Sequence, residues 1–118
     1  MVSIRGTNIN LTRGDTLLIH IGMTNAYTNE PYIPVGGDSL RFAMKHPDIK
    51  KDRSDYVDTE PLILKDIPID TCVLRLDPDD TKGLACGRYV YDIELTREDG
   101  VVDTFISNAV FTIDFEVY

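Results

Sequence analysis

Arg88-Tyr89-Val90-Tyr91-Asp92-Ile93-Glu94-Leu95-Thr96 decides the fold class. Tyr89, Tyr91, Ile93 and Leu95 fall at every second position, with Arg88, Val90, Asp92, Glu94 and Thr96 between them. A period of two sends alternate side chains to opposite faces of an extended chain, so this stretch reads as a strand with one buried face. The same period recurs outward in both directions. Leu17, Ile19 and Ile21 alternate with Leu18, His20 and Gly22; Leu40, Phe42 and Met44 alternate with Arg41, Ala43 and Lys45; Phe111, Ile113, Phe115 and Val117 alternate with Thr112, Asp114 and Glu116. Shorter runs at Ile9 to Thr12, Leu62 to Lys65, Cys72 to Leu76 and Val101 to Ser107 bring the total to about seven or eight short strands, which suits an all-β, two-layer antiparallel sandwich. The expected core is Leu17, Ile19, Phe42, Leu74, Leu76, Tyr91, Ile93, Phe111, Ile113 and Phe115.

The connections carry their own signals. Asp99-Gly100 between two alternating runs supplies the positive backbone φ angles of a tight hairpin, so the strands through Tyr91 and Phe105 should pair antiparallel. Asp77-Pro78-Asp79-Asp80-Thr81-Lys82-Gly83 has a capping acid, a proline at the first helical position, acids in the first turn and a closing glycine, which together predict one short helical turn. The charged stretch from His46 to Glu60 lacks an apolar period and reads as an exposed, mobile loop crossing between sheets. Asn25 to Gly37, with Pro31, Pro34 and paired glycines, is a second loop region with room for a short edge strand at Tyr32-Ile33.

The chain has 118 residues, of which 42% are apolar, enough for one domain, 1–118, with a single core. Twelve basic against twenty acidic residues give a net charge of −8. That sign opposes the phosphate neutralisation on which nucleic-acid binding depends and disfavours anionic membranes, so neither is an expected partner. No apolar run reaches the length of a membrane-spanning helix, and no signal-peptide core follows Met1-Val2-Ser3-Ile4-Arg5, so the expected compartment is the cytosol.

None of the residues that could carry chemistry forms a catalytic or metal-binding constellation. Cys72 and Cys86 belong to no CxxC pair and read as reduced thiols acting as small hydrophobes. His20 and His46 lie in separate segments, without a nucleophile or acid beside them in the sequence. Asp77, Asp79 and Asp80 lack the glycine and the glutamate of a calcium loop, since Lys82 and Arg88 stand at those positions; helix capping accounts for these acids. Arg13-Gly14-Asp15 matches an integrin tripeptide in letters but reads as an ordinary turn before the strand at Leu17. No catalytic residue, metal ligand or cofactor is expected. Tyr27, Tyr32 and Tyr56 lie in loops and are the candidate ligand or partner contacts, because an aromatic face can stack on a sugar or anchor a protein contact.

The segment Asp80-Thr81-Lys82-Gly83-Leu84-Ala85-Cys86-Gly87-Arg88-Tyr89-Val90-Tyr91 resembles the corner before strand F of immunoglobulin-like domains, where a tyrosine hydroxyl bonds the backbone just upstream. The resemblance gives Tyr89 that role, puts Tyr91 where antibody domains carry a cysteine, and implies an immunoglobulin-like sandwich. A wider pattern takes in Leu11-Thr12-Arg13-Gly14-Asp15-Thr16-Leu17, then Asp80-Thr81 with Leu84, Gly87, Tyr89 and Tyr91-Asp92-Ile93, then Asp99-Gly100 with Thr104-Phe105-Ile106 and a closing Phe111 and Ile113. This pattern spans nearly the whole chain. It resembles small β-sandwich proteins of bacteriophage and prophage tails and baseplates, such as the N-terminal domain of upper-baseplate proteins. The resemblance implies a non-enzymatic structural protein that contacts other tail or baseplate proteins. Such a protein would be made in the bacterial host cytoplasm and then carried in the virion, with homo-oligomerisation arising on assembly rather than in isolation. The N-terminal Met1-Val2-Ser3-Ile4 is apolar and short, and the final strand runs to Tyr118 with no charged tail beyond it, so either terminus could add an edge to a neighbouring sheet. A ligand-binding sandwich module, for instance one recognising carbohydrate, is the alternative reading.

Overall fold

The structure, a computed structural model, describes residues 2–5, 8–24, 28–46, 49–50, 56–57 and 61–115, with backbone alone at 2–5, 49–50, 56–57 and 107–108. The elements in chain order are β1 (Val2–Arg5), β2 (Asn8–Thr12), β3 (Leu17–His20), β4 (Ser39–Lys45), β5 (Ile49–Lys50), β6 (Tyr56–Val57), β7 (Ile63–Ile67), β8 (Val73–Leu76), α1 (Pro78–Lys82), β9 (Gly87–Thr96) and β10 (Val102–Asp114). Six strands form one sheet in the order β1-β2-β10-β9-β4-β7, while β3 and β8 form a second and β5 and β6 a short ladder. Every pairing is antiparallel except that of β2 with β10, where Ile9 to Thr12 run parallel to Phe111 to Asp114.

The period of two puts the core between the layers. Leu40, Phe42 and Met44 of β4, Tyr89, Tyr91, Ile93 and Leu95 of β9, and Phe111 and Ile113 of β10 are buried in one cluster with Leu17 of β3 and Leu74 and Leu76 of β8. At its centre Phe42, Tyr91 and Phe111 meet as three aromatic pairs with ring centroids 5.5 to 6.2 Å apart, each contributing on the order of 1 kcal/mol beyond its buried area. Asp99-Gly100 turns β9 into β10 with Gly100 at φ 88°, and the two strands pair antiparallel as the turn chemistry requires. The helical turn forms as α1, with Pro78 opening it and the Asp80 carboxylate accepting from the Asp77 amide at 2.7 Å.

Several expectations are corrected. Alternation with Ile113 places Phe115 in the core, yet it is 77% exposed. Its neighbours explain this: β2 pairs only as far as Thr12 with Asp114, and β9 only as far as Gly87 with Ile113, so beyond Asp114 neither flanking strand continues. Ile19 is half-buried rather than fully enclosed. The connection from His46 to Glu60 does not cross between sheets, because β4 and β7, which it joins, are adjacent partners in the same sheet, from Leu40 with Ile67 to Met44 with Ile63. The sheet change comes after Ile67, in the short link to β8. No strand forms at Tyr32-Ile33; the local pairing is a single bridge between Thr24 and Pro31. The runs at Val101 and Phe111 are one strand, β10, whose register against β9 shifts between Thr104 and Ile106 and again between Ile106 and Ala109. Val2–Arg5 pairs with β2 on one side and is an edge strand of the large sheet, whereas Phe111 to Asp114 have a strand on each side. Among the described residues no helix is long and apolar enough to cross a membrane.

Candidate functional site

Strand direction sorts the connections into two ends. β3 runs to His20, β4 starts at Ser39, β9 ends at Thr96 and β10 starts at Val102, and the register aligns Ser39, Thr96 and Val102 in one row. The segments 21–38 and 97–101 therefore leave the same end of the large sheet. The opposite end carries the 13–16 turn, α1 and the start of the 46–60 connection.

Asp38 ties the first end together. It is buried although its side chain is a carboxylate, which requires hydrogen-bonding partners to offset the lost hydration. Three are present. Oδ2 accepts from the Tyr32 hydroxyl at 2.6 Å and from the Val35 amide at 3.2 Å, and Oδ1 accepts from the Glu98 amide at 3.2 Å. One carboxylate thus holds the 32–38 segment and joins it to the β9–β10 hairpin. The hydrogen bond from Tyr32, followed by that from the Val35 amide, keeps the Asp38 carboxyl below its ordinary value, and the same Tyr32 bond pushes the phenol up. Arg97 lies with its guanidinium carbon 5.1 Å from the centre of the Tyr32 ring and its Nη2 3.9 Å from Asp103, while its Nε is buried without a hydrogen-bond partner among the described residues. Gly37, at φ 95°, lets the loop close on the hairpin: a Cβ there would sit 2.7 Å from the Glu98 side chain.

At the other end the polar groups fasten α1 between the layers. Thr81 is fully buried, and its Oγ1 accepts from the Gly14 amide at 3.0 Å. Arg13 donates to the Leu84 carbonyl, and Asp15 closes a turn onto the Thr12 carbonyl, so Arg13-Gly14-Asp15 is a turn docked on α1. Lys65 faces inward from β7 and meets Asp80 at 3.1 Å. The Tyr89 hydroxyl donates to the Ala85 carbonyl at 2.6 Å, the upstream backbone bond expected of this corner; burial raises the phenol above its ordinary value. His46 lies against the Tyr89 ring at 5.0 Å between centroids, and His20 is exposed at the end of β3, in the other sheet.

Of the three candidate contact residues, Tyr32 is half-buried and committed to Asp38 and Arg97. Tyr56 belongs to β6, within a connection that leaves the opposite end of β4, and its side chain lies outside the described atoms. Tyr27 lies outside the described residues. Tyr32 and Tyr56 therefore leave the sheet from different ends. Sequence reading missed Asp38, Glu98 and Arg97. A signal existed for the first: Gly36-Gly37 followed by Asp38 marks a turn whose acid can accept from nearby amides, here through Val35. Nothing local in the sequence marks the pairing with Glu98, which lies sixty positions away.

Both thiols, Cys72 and Cys86, are free. Among the described residues no group of three or more histidine, cysteine or acidic side chains is arranged to hold a metal ion. Each polar cluster described above holds one connection against another. No family model, curated protein or solved structure matches this chain.

Proposed function

We propose that this chain is a non-enzymatic structural protein working through protein contacts, an immunoglobulin-like sandwich belonging to a bacteriophage or prophage tail or baseplate. It would be assembled in the bacterial host cytoplasm and carried in the virion. One observation carries the contact reading. The polar clusters at both ends are spent on fixing loops, while large apolar side chains stay on the surface of those fixed loops, with Ile33 at 76% and Val35 at 58% exposure. Apolar groups held rigidly in water are what a protein interface uses, since no ordering cost remains to be met on binding.

The immunoglobulin-like assignment is supported by the parallel pairing of the first long strand with the last, by the β10-β9-β4-β7 order, by the separate β3-β8 pair, and by the helical turn leading into the Tyr89 corner. The tail or baseplate assignment rests on the sequence resemblance. The carbohydrate-binding alternative loses its described aromatic, because the Arg97 guanidinium lies over the Tyr32 ring and the Tyr32 hydroxyl is bonded inward.

The test is to tag the chain in its host, induce the prophage, and band the released particles on a density gradient. The expected result is the chain in the particle band at fixed stoichiometry with tail proteins. Complete particles that lack the chain, or binding to a glycan array that a free sugar competes away, would overturn the reading.

A further inference from the structure

The end of the sandwich built by residues 28–38 and 97–103 combines rigidity, exposed apolar side chains and one sign of charge. Ile33, Val35, Val101 and Val102 are each more than half exposed. They are not on independent loops. The Val35 and Glu98 amides bond the same carboxylate of Asp38, the Arg97 guanidinium lies over the Tyr32 ring, and the hairpin is closed on itself by Arg97 N–H to Val101 O at 2.8 Å and Gly100 N–H to Arg97 O at 2.9 Å.

Charge decides what can sit there. Glu30, Glu98, Asp99 and Asp103 are all exposed on these segments. The only base in the same segments is Arg97, which is turned toward Tyr32 and Asp103. A second copy would bring the same acids against these and the whole chain's −8 besides. Nucleic acid and anionic lipid carry the wrong sign as well. Like charges facing each other across an interface cost affinity, whereas complementary ones steer association and fix register.

We infer that this end is the docking face of the protein and that its occupant is a basic protein surface, with lysines or arginines surrounding an apolar centre that covers Val35, Val101 and Val102. This inference deepens the proposal that the chain works through protein contacts, and it rests on that reading. Asp38 is a positioning residue here: it does not meet the partner but holds the two segments in one surface.

Two arms test it separately. In the first, the amide resonances of the isotope-labelled chain are followed while an extended synthetic peptide of alternating lysine and leucine is added, with the glutamate-leucine peptide as control. The basic peptide should shift the amides of Ile33, Val35 and residues 97 to 103 first, the acidic one should not, and V101S/V102S should weaken the effect at least tenfold with the fold intact by circular dichroism. Raising the salt to several tenths molar should also weaken it. Shifts spread over acids elsewhere, such as Asp66 and Asp79, overturn the inference, as do concentration-dependent shifts at 97 to 103 without peptide, which would mean a second copy docks there.

In the second arm, purified particles are treated with a carbodiimide that couples carboxylates to amines in contact. Couplings from Glu98, Asp99 or Asp103 to lysines of another protein are expected, and particles whose couplings to partners come only from other acids overturn the docking face. If the peptide arm succeeds while the chain is absent from particles, the tail assignment falls and the docking face stands. If the chain is in particles but the peptide arm fails, the reverse holds.

Discussion

The Tyr32 hydroxyl donates a 2.6 Å hydrogen bond to Asp38 Oδ2, and through the other oxygen of that carboxylate the β3–β4 connection is bonded to the β9–β10 hairpin. Two loops sixty positions apart in sequence thereby become one surface. D38N keeps an acceptor oxygen but loses the charge that strengthens all three bonds. Its urea midpoint should fall, and the Val35 and Glu98 amides should lose hydrogen-exchange protection together. Loss of protection at one loop alone would show that the two are not coupled through Asp38.

The same clasp sets a pH dependence from both sides. Asp38 has a folded-state pKa below its ordinary 3.8, so its contribution is present above that value and is lost as the pH falls through the lower, folded value. Tyr32 is raised above its ordinary 10.0, so its contribution is complete below that pH and is lost as the pH rises through the folded value. The stability difference between wild type and D38N should therefore be largest across the neutral range and should shrink below pH 3.8. A constant difference from pH 2 to pH 8 would remove the carboxylate from the account.

Tyr89 and Ala85 give a sharper test of the corner. Y89F keeps the buried ring and deletes only the hydroxyl that bonds the Ala85 carbonyl, so the expected loss is about 1 kcal/mol by urea denaturation. No measurable loss would mean that the corner is held by ring packing alone.

Thr81 is the polar atom on which the Arg13-Gly14-Asp15 turn rests. T81V preserves shape while removing the acceptor of the Gly14 amide, which is only partly buried, and the expected cost is about 1 kcal/mol. Amide exchange at Gly14 should speed up well before global unfolding; unchanged exchange there would place the acceptor elsewhere.

Burial should matter more than aromatic residue type. Y91A removes a ring packed between Phe42 and Phe111 and should cost about 3 to 5 kcal/mol, whereas F115S should change stability by less than about 0.5 kcal/mol. An F115S cost near that of Y91A would put Phe115 inside the core.

Short-range physics is legible in the amino-acid sequence alone. A period of two specifies a strand and its inward face, so Leu17, Phe42, Tyr91, Ile93, Phe111 and Ile113 were readable as core. Asp99-Gly100 specifies a hairpin because glycine reaches positive φ without strain, and Pro78 after Asp77 specifies a helix start because the ring fixes φ where no amide is needed. The bond of the Tyr89 hydroxyl to the backbone four positions upstream is what the resemblance to the immunoglobulin-like corner implied. Tertiary structure alone decided which strands share a sheet, because pairing depends on contacts between segments far apart. That is why the 46–60 connection proved to lie between neighbours β4 and β7, and why β2 lies parallel to β10. It also decided Phe115, whose alternation persists after both flanking strands have ended. Tyr32 follows the same logic: an aromatic in a proline-rich loop looks available for a ligand, until a carboxylate six residues on and an arginine from the far hairpin take up its hydroxyl and its ring.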